Sequence, residues 1–147
     1  MALPKPQRNV FLDSSVLYAA AFSPTGPARR LLLKGFAGRI TLSISNLVIA
    51  ETQRNLAQNA PEALPYFLSI VDLLSSQTTR PTKAEVLKAA QIVHIKDAAI
   101  VAAAAKANAD YLATHDVKHL IYHAQAIERA YGIAVLTPAE LLTVLAN

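Results

Sequence analysis

What most constrains this chain is a rhythm of short and long segments. Four β-type runs, Asn9–Asp13, Arg39–Ser43, Asp110–Thr114 and Ile133–Leu136, are separated by much longer helical patterns. Antiparallel neighbours can be joined by a two-residue turn, whereas parallel neighbours need a crossover of a dozen or more residues, usually a helix. The intervals here suit the crossover. The sequence therefore predicts an α/β fold in three layers, α/β/α, with a central parallel sheet. Helix boundaries are written just as plainly. Pro27 stands where a first helical turn tolerates proline. Thr82 with Glu85, and Thr137 with Glu140, each form a capping-box pattern that opens a helix.

Open sheets of this kind bind ligands beyond the carboxyl ends of their strands. Asp13 closes the run Asn9-Val10-Phe11-Leu12, and Asp116 follows Tyr111-Leu112-Ala113-Thr114-His115, so both are candidates. Each also suits a cap or turn. Asp110 starts its strand, and six residues at about 3.3 Å each set it roughly 20 Å from Asp116. It is therefore excluded. Asp97 precedes Ala98-Ala99-Ile100-Val101-Ala102-Ala103-Ala104-Ala105, an excellent helix for which it could serve as the N-cap. The small side chains would also let that helix approach the sheet and bring Asp97 towards Asp13. Glu51 lies a turn or two inside a helix starting near Ser45. An exposed Glu is ordinary there, yet Leu47, Val48 and Ala50 flank it with apolar surface.

Carboxylates gathered in one place repel one another, and such a cluster persists when a divalent cation neutralises it. Hard oxygen ligands suit Mg²⁺ or Mn²⁺, which is the chemistry of phosphodiester hydrolysis. Thr114, beside Asp116, stands to hold a metal-bound water. The charge balance adds a second strand to the argument. Fourteen Lys and Arg against ten Asp and Glu give +4, and with four acids in one cleft the remaining surface sets fourteen basic against six acidic groups. A basic exterior around an acidic pocket attracts a polyanion. Arg29, Arg30, Arg54 and Lys96 are candidate phosphate contacts, although solvated surface charge explains any one of them.

Composition bounds the rest. At 147 residues, 53% apolar and 16% charged, the chain is read as one globular domain over residues 1–147. With no cysteine there is neither a disulfide nor a thiolate zinc site, which is compatible with a cytoplasmic location. Met1 to Arg8 carries no apolar leader, and the longest apolar stretch, Ala98 to Ala105, is too short to span a bilayer. A soluble protein without a membrane partner is expected. Leu31, Leu32, Leu33 and Phe36, together with Phe67, Ile70, Val71, Leu73 and Leu74, read either as core or as an exposed groove for a dimer or protein partner. His115, His119 and His123 recur at every fourth position, but without cysteine a zinc reading has little support.

The same residues carry a family resemblance. Val10-Phe11-Leu12-Asp13-Ser14-Ser15-Val16-Leu17, Ser45-Asn46-Leu47-Val48-Ile49-Ala50-Glu51, Lys96-Asp97-Ala98-Ala99-Ile100 and Ala109-Asp110-Tyr111-Leu112-Ala113-Thr114-His115-Asp116 follow one another in this order. With the closing Leu136-Thr137-Pro138-Ala139-Glu140, the whole chain resembles the PIN domain, the metal-dependent nuclease fold of many bacterial toxin–antitoxin ribonucleases. The resemblance implies that Asp13, Glu51, Asp97 and Asp116 form the metal and catalytic site for Mg²⁺ or Mn²⁺. It implies an RNA substrate, a cognate antitoxin and a homodimer. PIN domains often carry Asn two residues after the first acid, where this chain has Ser15. Lys118 replaces a further acid of some relatives and stands either to meet substrate phosphate or to thin a second metal site, while His115 beside Asp116 stands to touch substrate. The reading is thus a metal-dependent endoribonuclease acting as a toxin. The alternative is a non-catalytic PIN-like module that binds RNA or protein. A phosphatase with Asp13 as nucleophile is disfavoured, because Ser15 stands where such enzymes commonly place a second acid.

Overall fold

The computed structural model describes residues 7–146. The stretch read above as lacking an apolar leader lies, up to Pro6, outside the described residues. Five strands form one sheet: β1 (Asn9–Leu12), β2 (Thr41–Ser45), β3 (Thr78–Thr79), β4 (Tyr111–Ala113) and β5 (Ala134–Leu136), in the order β3-β2-β1-β4-β5 and all parallel. Eight α-helices connect and follow them among the described residues: α1 (Ser14–Phe22), α2 (Pro27–Phe36), α3 (Asn46–Asn59), α4 (Leu64–Leu73), α5 (Lys83–Ala89), α6 (Ile95–Lys106), α7 (Ala124–Tyr131) and α8 (Pro138–Val144). Right-handed crossovers carry α1–α4 over one face of the sheet and α5–α7 over the other. The packing agrees, with α1 against α2, α3 and α4, and α5 against α6. This is the three-layer parallel architecture that the segment lengths predict.

The core sits on both faces of the sheet. Phe11, Leu12, Leu17, Leu31, Leu32, Ile44, Leu56, Phe67, Ile70 and Leu112 are fully buried, each contributing about 1.5–3 kcal/mol relative to exposure. Leu74 is buried too, whereas Leu33, Phe36 and Leu73 are exposed. Helical geometry explains the split, since a step of one residue along α2 turns Leu33 about 100° away from Leu32. Both capping boxes are present, and Pro27 opens α2. At Gly35 a Cβ would run into the Leu42 side chain, so glycine permits the close approach of α2 to β2.

β1, β4 and β5 each lie within one residue per end of expectation, whereas β2 and β3 depart from it further. β2 begins at Thr41 rather than Arg39, because Gly38 turns at φ +76° and the Arg39 N–H still donates to the Lys34 carbonyl at the exit of α2. β3 has no sequence signal, since two residues cannot express an alternating pattern; it exists by pairing with Ile44 and Ser45.

The topology locates the functional edge. From β1 the chain first moves outward through β2 to β3, then returns to place β4 on the other side of β1. Strand order reverses between β1 and β4, and in sheets of this type the crevice beyond such a switch point is where ligands bind. The register pairs Leu12 with Ala113, so the next residues, Asp13 and Thr114, meet at that edge. Asp110 lies at the other end of β4, where its carboxylate accepts a hydrogen bond from the Asn9 N–H at 2.8 Å.

Candidate metal centre

Asp13 leaves β1 and immediately becomes the N-cap of α1. Its Oδ1 accepts from the Ser14 N–H at 2.8 Å, and its Oδ2 accepts from the Ser15 hydroxyl at 3.0 Å and from the Thr114 hydroxyl at 2.7 Å. The residue is only 6% exposed. Three of roughly four lone-pair positions on the carboxylate are thereby filled, and the Ser14 hydroxyl stands 3.5 Å from Oδ1 as a longer fourth donor. The positive end of the α1 dipole also favours its charge.

Thr114 is fully buried and serves two neighbours. It donates to Asp13 and accepts from the Asp116 N–H at 2.9 Å. Ser15 is likewise shared, since its oxygen accepts from the His115 N–H at 3.0 Å. One pair of hydroxyls therefore fixes the acid after β1 to the segment after β4.

Asp116 begins a tight turn. Its carbonyl accepts from Leu120 and Ile121, its Oδ1 accepts from the His119 N–H at 3.0 Å, and its Oδ2 faces His119 Nδ1 at 3.3 Å. Asp97 reaches the same place from α6. It is not the N-cap: His94 holds that position, with its ring Nδ1 accepting from the Lys96 N–H at 3.1 Å. The Asp97 carboxylate is thus free of capping duty and makes no hydrogen bond among the described residues. Burial pushes its pKa above the ordinary aspartate value; His119 opposes the rise, Asp116 adds to it, His94 opposes it and Asp13 adds to it. The alanine face of α6, with Ala98 and Ala102 to Ala104 buried, lets the helix pack on β2 and α5 and so delivers Asp97 to the crevice.

One ligand atom each from Asp97, Asp116 and His119 lies within 4.8 Å of the others. Two carboxylates and an imidazole, gathered where the charge of one carboxylate is already disfavoured, fit a divalent cation. Asp13 stands close enough to act on Asp97 electrostatically, with its own oxygens largely engaged. Glu51 lies in the second turn of α3, beside the buried stripe of Val48, Thr52 and Leu56, half-buried and outside the group whose ligand atoms meet. His115 and Lys118 are exposed on the segment that carries Asp116.

His119 escapes the sequence reading. His115, His119 and His123 recur at every fourth position, but residues 117–120 form a turn and Ile121–His123 a 3-10 turn, so no helix aligns them. The usable signal was the three-residue step from Asp116 to His119. Arg29 is also reassigned. Its Nε donates to the Ala20 carbonyl at 2.5 Å and its guanidinium lies 3.8 Å over the Tyr66 ring, which commits it to closing α1. A cavity of about 420 Å³ near the start of β2, lined by Phe36, Ile40, Leu42 and Leu73, contains no titratable group and offers no comparable chemistry.

The PIN domain family matches residues 10–124 of the sequence. The chain belongs to the PIN domain family. Solved structures with the same fold include PAE2754 from Pyrobaculum aerophilum, 21% identical with a TM-score of 0.65, covering 95% of this chain and 96% of that one. FitAcB from Neisseria gonorrhoeae is 18% identical with a TM-score of 0.59, covering 88% and 97%. FitAB bound to a DNA fragment is 17% identical with a TM-score of 0.58, covering 88% and 94%. No curated protein matches the sequence. At this distance the neighbours speak for the fold of this PIN domain, and its chemistry rests on its own residues. Among the described residues, no helix is long and apolar enough to cross a membrane.

Proposed function

We propose that this PIN domain is a divalent-metal-dependent endoribonuclease acting as the toxin half of a toxin–antitoxin pair. The observation that carries the reading is the convergence of Asp97 and Asp116 beyond the sheet edge where Asp13 is fixed. Membership of the family and the likeness to FitAB, solved on a DNA fragment, support a nucleic-acid setting. Asp97 and Asp116 would hold Mg²⁺ or Mn²⁺, which would supply Lewis acidity for phosphodiester hydrolysis and a more acidic bound water.

The residues of the chain do the rest. Asp13, held by Ser14, Ser15 and Thr114, contributes a fixed carboxylate at the sheet edge. Thr114 and Ser15 keep the two strand-end segments in register. Glu51 acts from α3 on a second ion or on the substrate side of the crevice. Lys118 and Lys96 offer cationic contacts, and His115 a hydrogen-bonding one, to phosphates flanking the scissile bond. No side chain is required as a covalent nucleophile. The working unit is a homodimer of one-domain subunits in the cytoplasm, held inactive by an antitoxin.

Cleavage of mixed RNA and DNA substrates with Mn²⁺ or Mg²⁺, with EDTA as control, tests this reading. RNA cutting that needs the ion and disappears in Asp97→Asn is the expected result. Cutting that persists at the wild-type rate in Asp97→Asn would reject the site, and preferential DNA cutting would reject the substrate. If neither nucleic acid is cut and calorimetry detects no ion, the non-catalytic binding module replaces the nuclease.

A further inference from the structure

We infer that His119 is itself a ligand of the metal centre, and that its nitrogen biases the site towards Mn²⁺ over Mg²⁺. The inference rests on the proposed metal site and specifies its chemistry. Asp116 Oδ1 is engaged by the His119 N–H, which leaves Oδ2 as the freer oxygen, and His119 Nδ1 lies 3.3 Å from it, at the long end of hydrogen-bond distance. Charge-assisted N–H to carboxylate bonds run shorter, at about 2.7–2.9 Å. Two donors at right angles around one small ion at about 2.1 Å stand roughly 3.0 Å apart, so the pair has the spacing of adjacent ligands. Asp97 brings a carboxylate oxygen into the same group, with no other hydrogen-bonding commitment among the described residues.

The turn makes this pairing rigid. Backbone N–H groups of His119, Leu120 and Ile121 all return to Asp116, so imidazole and carboxylate move as one unit. The donor set is then two carboxylates and one imidazole. Carboxylate and water suit Mg²⁺ and Mn²⁺ alike, whereas imidazole belongs with the first-row transition metals. Magnesium gains little from the nitrogen and keeps its waters. Replacing one oxygen donor by His119 therefore separates two ions that an all-carboxylate site would treat more evenly.

The test is calorimetry of the full chain with Mn²⁺ and with Mg²⁺, joined to pulsed electron paramagnetic resonance of the Mn²⁺-loaded protein. Wild type, His119→Ala, His119→Gln and Asp97→Asn are compared, with circular dichroism checking the fold. His119 is half-exposed, so both substitutions are expected to fold. Loss of the nitrogen is expected to weaken Mn²⁺ binding on the order of tenfold while Mg²⁺ binding stays nearly constant, and to remove the nitrogen hyperfine coupling of bound Mn²⁺. An unchanged ratio of the two affinities, or no nitrogen coupling in wild type, overturns the role of His119 while leaving the carboxylate site standing. If wild type binds neither ion, or Asp97→Asn binds Mn²⁺ as well as wild type does, the carboxylate site falls and the inference falls with it.

Discussion

Asp13 stands at the end of β1 and Asp97 in the first turn of α6, and the two live in opposite circumstances. Asp13 is nearly inaccessible, yet three donors satisfy it and the α1 dipole supports its charge. Asp97 is more open, yet it has no hydrogen-bond donor among the described residues and its pKa is raised, first by burial and then by neighbouring acids. Burial alone thus does not decide whether a carboxylate is under stress; the supply of donors does. The well-satisfied acid fixes the geometry, and on the proposed function the deprived one supplies the demand for a cation.

The largest effect should come from the deprived side. On the proposed function, Asp97→Asn removes a ligand worth several kcal/mol of transition-state stabilisation, so RNA cleavage should fall about 10²–10³-fold. The metal-free protein should be no less stable than wild type, because a repelled charge has gone. Cleavage rates and thermal melts in EDTA check both halves. A clear loss of stability would mean that Asp97 carries structure, erasing the contrast with Asp13.

The satisfied side should respond the other way. Thr114→Val keeps the shape but strips the hydroxyl that serves both Asp13 and the Asp116 N–H. Two buried partners are left wanting, so unfolding by denaturant should show a loss of about 1–3 kcal/mol. A stability equal to wild type would show that water replaces the hydroxyl, and that the crevice is wetter than the full burial of Thr114 implies.

Asp97 should also mark the pH dependence. An acid whose folded pKa is raised holds its proton more tightly when folded. The associated stability therefore falls as pH rises from the ordinary aspartate value of 3.8 through the raised pKa, and the penalty persists above it. In EDTA, the melting temperature of wild type relative to Asp97→Asn should decline over that interval, and adding Mn²⁺ should reverse the decline at neutral pH. A difference independent of pH would remove the asymmetry between the two acids.

How much of this could be read from the chain depends on what kind of signal each feature leaves. Asp13 and Asp116 are legible because short apolar runs end just before them, and parallel strands place such ends together. Asp97 is legible through the alanine face behind it, although its capping role belongs to His94, a residue outside the usual Ser, Thr, Asp and Asn set. His119 is hidden because its position depends on a turn closed by backbone bonds to Asp116, which no apolar period records. β3 is hidden for a simpler reason, being two residues long.

Glu51 provides the smallest and sharpest test, since resemblance and geometry pull it in different directions. By resemblance it is a ligand equal to Asp13. In the fold it flanks the buried stripe of α3, half-exposed, while the meeting ligand atoms come from Asp97, Asp116 and His119. A half-exposed charge outside that group acts on a first ion only through a screened field. Glu51→Gln should therefore change first-ion affinity by roughly twofold or less and reduce cleavage less than Asp97→Asn does. Titration calorimetry and cleavage measured over a range of Mn²⁺ concentrations separate the cases. A shift confined to high metal concentration would place Glu51 at a second, weaker ion. First-ion binding lost as completely as in Asp97→Asn would mean that α3 closes on the crevice when metal arrives, making the satisfied and deprived carboxylates parts of one moving site.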